Sequence, residues 1–288
     1  MMTRFVYKNL RGGTRSLGNK VVAMSSTPSR LLRPLSSSSS FQPVVELRQD
    51  ILVPQHVNEY INTVSTSRDD ASRIIFPKQL CLMSRPEMGG RTNLVNQAYF
   101  FPGGLLERQE ELMNNATTTS QHAEWGGTLE KALSPFIQSQ QSSIFVEAPL
   151  VQQMNLDGMA GQLGREETHS IEMSRHDDPV IFEFRRYYLK LGYDTVPNFL
   201  KLYGAGLPSK LNAPGTDPST SLVTLLYSEV GRLNEVIEIW RHGEGVAAME
   251  TSRVAARGAT EWRSAIASIA DLAIEFHSTI HRPIVVRR

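Results

Sequence analysis

One cysteine, Cys81, is all the thiol chemistry this chain has, which excludes an internal disulfide and any zinc site built on cysteine thiolates. Long apolar runs are missing as well: none approaches the about 20 residues that a membrane-spanning helix needs. An excess of either charge is missing, with 30 Lys+Arg against 29 Asp+Glu. Because the signs are interspersed, no basic stripe is available to neutralise phosphates, so nucleic acid is not an expected partner. No Gly-x-Ser-x-Gly elbow is present, which removes the usual frame for a serine nucleophile. Gly103-Gly104 and Gly126-Gly127 lack the Lys and Ser/Thr that complete a phosphate loop. No cofactor is expected from these patterns.

Acids are absent before Glu46, whereas Arg4, Lys8, Arg11, Arg15, Lys20, Arg30 and Arg33 precede the serine run Ser36–Ser40. Arginine and serine enrichment without acids is the composition of a mitochondrial or plastid transit peptide. A disordered basic tail is the alternative. Residues 1–40 are therefore set apart from the fold, and a mitochondrial address is expected.

What the rest contains is a duplication. Val45-Glu46-Leu47-Arg48 returns as Phe182-Glu183-Phe184-Arg185; Gly90-Arg91-Thr92-Asn93 returns as Gly231-Arg232-Leu233-Asn234, each followed by an aromatic, Tyr99 and Trp240; and Glu124-Trp125 returns as Glu261-Trp262. A repeat this long is a domain and not a solenoid unit. The expected division is 41–148 and 179–288, joined by a linker over 149–178.

Each copy opens with alternation. Phe182 and Phe184 interleave with Glu183 and Arg185, the period-2 mark of a strand. A helix is expected over 196–211, with Pro197 in the first turn, where its missing N–H breaks no bond. Leu222–Tyr227 and Asn234–Trp240 read as a hairpin with Gly231 at a positive φ; Leu80–Ser84 and Leu94–Phe101 are the counterpart. Trp262, Ile266, Ile269, Ala273 and Phe276 draw one apolar helical stripe, matched by Trp125, Leu129, Leu133 and Phe136, although Pro135 should end that helix early. Ile144–Val146 and Ile284–Val286 are read as closing strands. The order β-α-β-β-α-β predicts an α+β protein of tandem ferredoxin-like domains. Helices cover one face of such a sheet only, so the two bare faces are expected to meet in a dimeric α/β-barrel type arrangement. The linker, without a steady period, is expected to let the copies reorient.

The Glu-x-Arg strand, the helix after it, Gly231-Arg232-Leu233-Asn234-Glu235-Val236-Ile237 leading to Trp240, and Glu261-Trp262 opening a last helix before Arg282-Pro283 resemble the NIPSNAP domain. The resemblance spans about Pro179 to Pro283 closely and Pro43 to Ala148 more loosely. It implies a dimeric α/β barrel, mitochondrial residence for two-copy members, protein partners in trafficking or mitochondrial quality control, and homo-oligomers, with no family-wide catalytic residues. Family members often carry His two positions before the Trp; here Glu238 and Gln97 stand instead. Barrels of this general shape also serve haem-degrading and quinol-forming monooxygenases, which makes a small-molecule or haem-binding enzyme the alternative.

The candidate ligand-binding residues are Glu46, Arg48, Glu183, Arg185, Glu238 and Trp240. With Phe182 and Phe184 facing the helices, Glu183, Arg185, Glu238 and Trp240 would point between the sheets. There they either line a cavity or form an ion-pair network that sets sheet register. Trp125 and Trp262 are expected in the core. His277 and His281, four apart on the expected helix, have a metal-like spacing but no third ligand, and surface histidines are the simpler reading.

Overall fold

The alternating segments become eight antiparallel strands: β1 (Val44–Leu52), β2 (Leu80–Met88), β3 (Leu94–Phe101), β4 (Ile137–Glu147), β5 (Ile181–Leu189), β6 (Thr220–Val230), β7 (Glu235–His242) and β8 (Ala273–Pro283). They close into one barrel in the order β1-β3-β2-β8-β5-β7-β6-β4. The first copy therefore contributes β4-β1-β3-β2 and the second β8-β5-β7-β6, the same ferredoxin-like order twice. Where each half-sheet would expose an edge it pairs with its sibling: Arg85 faces Arg282 across β2 and β8, and Val146 faces Tyr227 across β4 and β6. These two seams leave the ends of the half-sheets paired instead of open. In this computed structural model the described residues are 41–65, 76–117, 132–169 and 180–286. The transit-like segment 1–40, the stretch holding His122, Glu124, Trp125 and Leu129, the linker residues 170–178 with His176, and Pro179 lie outside them.

Two copies thus pair within a single chain. Side chains alternate between two environments. Val45, Leu47, Leu82, Ala98, Phe100, Phe145, Phe182, Phe184, Val223, Leu226, Ile237 and Ile239 fill the barrel. Outside it, Leu52, Tyr60, Val64, Tyr99 and Phe101 pack under the helix of the first copy, α1 (Val57–Ser65), and Tyr187, Phe199, Tyr203, Leu207, Trp240 and Trp262 under those of the second. The two clusters correspond even in their irregularities, since β2 shifts register between Leu80 and Leu82 and β6 between Leu222 and Thr224.

Among the described residues the remaining helices with both ends in view are α2 (Gly104–Thr117), α3 (Leu150–Gln153), α4 (Gly158–His169), α5 (Thr195–Leu211), α6 (Gly245–Gly258) and α7 (Thr260–Ala270). Helix α5 matches the expected span with Pro197 in its first turn, and Gly231 takes φ 123° at the hairpin. Three expectations need correction. The final helix stops at Ala270, so Ala273 and Phe276 belong to β8, and Ile284–Val286 follows the strand instead of forming it. Ile284 and Val286 pack into the helix-side core of the first copy, and Ile284 N–H donates to Met83 O at 2.8 Å. Strand β4 likewise begins at Ile137, directly after the Ser134–Phe136 turn that carries Pro135, and extends well upstream of Ile144. The linker is in part a plug: α4 packs against β2 and β6, on opposite sides of the barrel, and seats Met159 and Leu163 among the interior side chains.

Candidate functional site

The strand alternation runs opposite to expectation. Phe182 and Phe184 fill the barrel, and Glu183, Arg185, Glu238 and Trp240 lie on the outer face, beneath α5, α6 and α7. Both faces of β5 are covered, so period alone could not choose between them. Chemistry does: the interior is lined from seven strands mainly by aliphatic and aromatic groups, whereas the helix layer supplies hydroxyls and guanidiniums that can satisfy a buried carboxylate.

In that layer Glu183, 1% exposed, accepts from Arg185 Nε at 2.7 Å, Arg253 Nη2 at 2.6 Å and Ser278 Oγ at 2.8 Å. Burial alone would raise its pKa, but His242, Arg185 and Arg253 hold it well below the usual carboxylate range. Glu238, fully buried, accepts from Tyr187 Oη at 3.0 Å and Arg185 Nη1 at 3.3 Å, and closely from Tyr203 Oη. Here too burial pushes upward and is outweighed, by the charges of Lys210 and Arg185 and by the Tyr203 hydroxyl. Lys210 Nζ lies 3.6 Å from the Trp240 ring centroid and 4.5 Å from that of Trp262, a cation held between two indoles. Burial brings its pKa down to about 7.

Glu46 and Arg48 form the corresponding cluster of the first copy, under α2. Glu46 accepts from Arg108 Nε at 2.8 Å and Nη2 at 3.0 Å and from Ser142 Oγ at 2.6 Å. Burial raises and the Arg108 and Ser142 contacts more than offset it, leaving the carboxyl below its ordinary value. The correspondence is positional: Tyr99 and Gln97 stand opposite Glu46 and Arg48 on the ladder, as Trp240 and Glu238 stand opposite Glu183 and Arg185. The six expected residues therefore form two separate clusters, not one shared cavity.

Arg253, Tyr203, Lys210, Ser278 and His242 are members that sequence reasoning overlooked. Lys210 was detectable, because Phe199, Tyr203, Leu207 and Lys210 share the buried stripe of α5. His242 ends β7 and is 2% exposed, with Nδ1 3.0 Å from Thr220 Oγ1. His277 and His281 sit on a strand, which separates them: His277 meets Glu275 at the surface, and His281 lies inside the barrel against Phe184, Ser84 and Asn96. Among the described residues no group of three metal-ligating side chains forms.

Next to the second cluster a groove of about 790 Å³ runs between α6, α7 and β8. Arg185, Arg253, Arg257 and Arg263 line it against Glu183 and Glu275, and Trp262, Ile266, Ile269 and Phe276 supply an apolar wall. Its lining contains no His, Cys or Met to ligate haem iron, and the one phenol, Tyr187, is committed to Glu238.

No family model matches the chain, and no curated protein does. Among solved structures, a provisionally assigned monooxygenase from Fusobacterium nucleatum superposes with TM-score 0.52 at 8% identity, covering 86% of this chain and 95% of that one. One from Lactobacillus acidophilus gives TM-score 0.49 at 8% identity over 84% and 94%. A NIPSNAP family protein of unknown function from Agrobacterium tumefaciens matches at 24% identity and TM-score 0.34, covering 40% of this chain and 96% of that one. The chain has the dimeric α/β-barrel fold, with its two ferredoxin-like halves closed in one polypeptide.

Proposed function

We propose that this chain is a two-copy mitochondrial protein of the NIPSNAP type, with residues 41–148 and 179–288 as its duplicated units, and that it acts by binding an amphipathic anion and presenting that state to protein partners. The observation that carries the reading is the groove of the second copy, whose lining combines four guanidiniums and two carboxylates with apolar side chains. Its volume suits a small organic ligand. The net positive lining calls for an acid head, and the apolar side chains for a hydrocarbon body. Glu183 and Glu238 are both held ionised by fixed partners, which leaves them as anchors for the cations beside the groove and not as proton carriers, since a general acid or base works best with a pKa near the operating pH. The basic, acid-free first forty residues and the repeated Glu-x-Arg and Gly-Arg-x-Asn segments support the organellar and family parts of the reading.

Isothermal titration of the full chain with decanoate and with decyltrimethylammonium tests the site. Decanoate should bind saturably, the cation should not, and reversing the rim charges with Arg257→Glu and Arg263→Glu should weaken decanoate about tenfold. Equal binding of both amphiphiles would reject an anion site. Residues 1–40 fused to a fluorescent protein should send it to mitochondria; a diffuse reporter would remove the organellar part. Hemin gives the contrasting outcome: a saturable Soret shift abolished by changing one histidine would favour the haem-enzyme alternative.

A further inference from the structure

Beside the groove lies a second, smaller space of about 30 Å³, lined by Lys210, Thr216, Thr220, Trp240, His242, Met249 and Ser252. Glu183, Arg185, Arg253 and Ala256 line both spaces, so the two adjoin at these residues. Polar atoms converge on this chamber without being satisfied. Lys210 Nζ and Thr216 Oγ1 are buried with no hydrogen-bond partner. His242 Nε2 also lacks one, standing 3.5 Å from the nearest Glu183 oxygen, and the Trp240 indole N–H is turned toward Glu238 without closing a bond on it. Buried donors left open carry a cost that folded proteins normally avoid, and Lys210 Nζ and Thr216 Oγ1 together in one small chamber mark a place shaped for an acceptor. The charges agree where Lys210 carries its proton: Arg185, Lys210 and Arg253 then outnumber Glu183 and Glu238 by one.

We propose that this chamber receives the carboxylate head of the ligand whose body occupies the groove, so that the site selects amphipathic carboxylic acids. This rests on the groove reading above and adds the head group and its contacts. Lys210 Nζ and Thr216 Oγ1 are the direct donors, and Trp240 and Trp262 report the event because they flank Lys210. Size sets the selectivity. A space of about 30 Å³ holds roughly two or three waters, which suits a planar carboxylate and not the bulkier tetrahedral phosphate. A phosphate-headed amphiphile is left at the rim with Arg257 and Arg263.

The test uses the full chain, with tryptophan fluorescence and calorimetry read for decanoate, decyl phosphate and formate. Decanoate should bind at least tenfold tighter than decyl phosphate. Lys210→Met should weaken decanoate at least tenfold, leave decyl phosphate unchanged and abolish the fluorescence response to formate. Thr216→Val, which leaves the Lys210–tryptophan stack in place, should weaken decanoate about threefold and provides the reading if Lys210→Met fails to fold. Decanoate binding equally well to wild type and to both variants would overturn the chamber while leaving the groove standing. If neither decyl amphiphile binds wild type but formate still perturbs fluorescence through Lys210, the groove reading fails and the chamber survives alone. No response to any of the three removes both.

Discussion

Asp50 and Glu238 do the same work from opposite strands of two equivalent ladders. Each accepts a hydrogen bond from the buried tyrosine of its copy's first helix: Tyr60 Oη reaches Asp50 Oδ2 at 3.2 Å, and Tyr203 Oη reaches Glu238. Asp50 lies on β1, with neutral Gln97 on β3; Glu238 lies on β7, with neutral Tyr187 on β5. Since Gln97 and Glu238 hold equivalent ladder positions, as do Asp50 and Tyr187, the duplicated layer kept one tyrosine-bound carboxylate per copy and changed the strand that carries it.

The two acids differ in what surrounds them, and that difference is measurable. Burial raises the Asp50 carboxyl against donors that are mostly neutral, whereas the nearby charges of Lys210 and Arg185 hold Glu238 low in spite of its burial. Glu238→Gln should therefore lower the unfolding free energy by about 3 kcal/mol, because it leaves buried cations without their counter-charge. Asp50→Asn, which mainly exchanges one acceptor for another, should cost about 1 kcal/mol. Urea denaturation at neutral pH compares them; equal losses would show that charge pairing contributes nothing at Glu238.

Much of this fold was legible in the sequence, and the reasons it was only partly so are physical. The duplication, the strand-helix order and the Gly231 hairpin follow from local signals such as alternation, proline position and positive φ. The direction of the Glu-x-Arg side chains does not follow, because both faces of β5 are buried and alternation names two faces without saying which meets a helix. The end of α7 was hidden by coincidence: Ala273 and Phe276 continue a spacing of three and four, yet the chain turns at Asp271 and enters β8. Helices α2 and α6 open at Gly104 and Gly245, both at positive φ, a signal that could have been read. Site membership depended on contacts more distant than any motif, since Arg253 reaches a carboxylate 70 residues away in sequence.

Lys210 should leave a mark on alkaline stability. Its folded pKa of about 7 lies below the ordinary 10.5, so between those values the unfolded chain binds a proton that the native state does not. Stability must then rise with pH across that window, by at most about 1.4 kcal/mol per unit. The opposing groups are Tyr60, Tyr187 and Tyr203, raised well above 10.0 chiefly by burial. Above pH 10 the unfolded state loses phenolic protons that the native state keeps, and stability falls. Thermal melts from pH 7 to 11 should show a rise and then a fall; Lys210→Met should remove the rise and keep the fall.

His281 governs the mildly acid side. Burial, with Arg186 nearby, brings its pKa from 6.5 to about 3, so it is neutral in the fold and protonated when unfolded at pH 5. Its contribution is complete above 6.5 and is lost as pH falls toward 3. Glu46, Glu183 and Glu238, with pKa values below 4.5, add their own losses only below that value. By pH 4.5 His281 alone should remove about 2–3 kcal/mol. His281→Gln should flatten the interval between 6.5 and 4.5, as measured by urea midpoints at each pH, and should leave the steeper loss below 4.5 intact.

The crossing of α5 and α7 sets how far Trp262 stands from Lys210, and it depends on Gly206. A Cβ added there would lie 2.5 Å from Ala265 Cβ and 3.3 Å from Trp262 Cα, closer than packed carbons allow, and the second of these is backbone that can move only with its helix. Gly206→Ala should therefore cost about 1–3 kcal/mol, even though alanine is the better helix former by about 1 kcal/mol. Pairing it with Ala265→Gly removes the nearer clash and leaves the backbone one, so stability should return only in part. The same variants separate packing from ligand binding. If α7 positions Trp262 over the lysine, Gly206→Ala should shift tryptophan emission and weaken decanoate in step, and the double variant should recover both to the same degree. Emission that moves while affinity does not would mean that the indole of Trp262 has no part in holding the Lys210 ammonium in place.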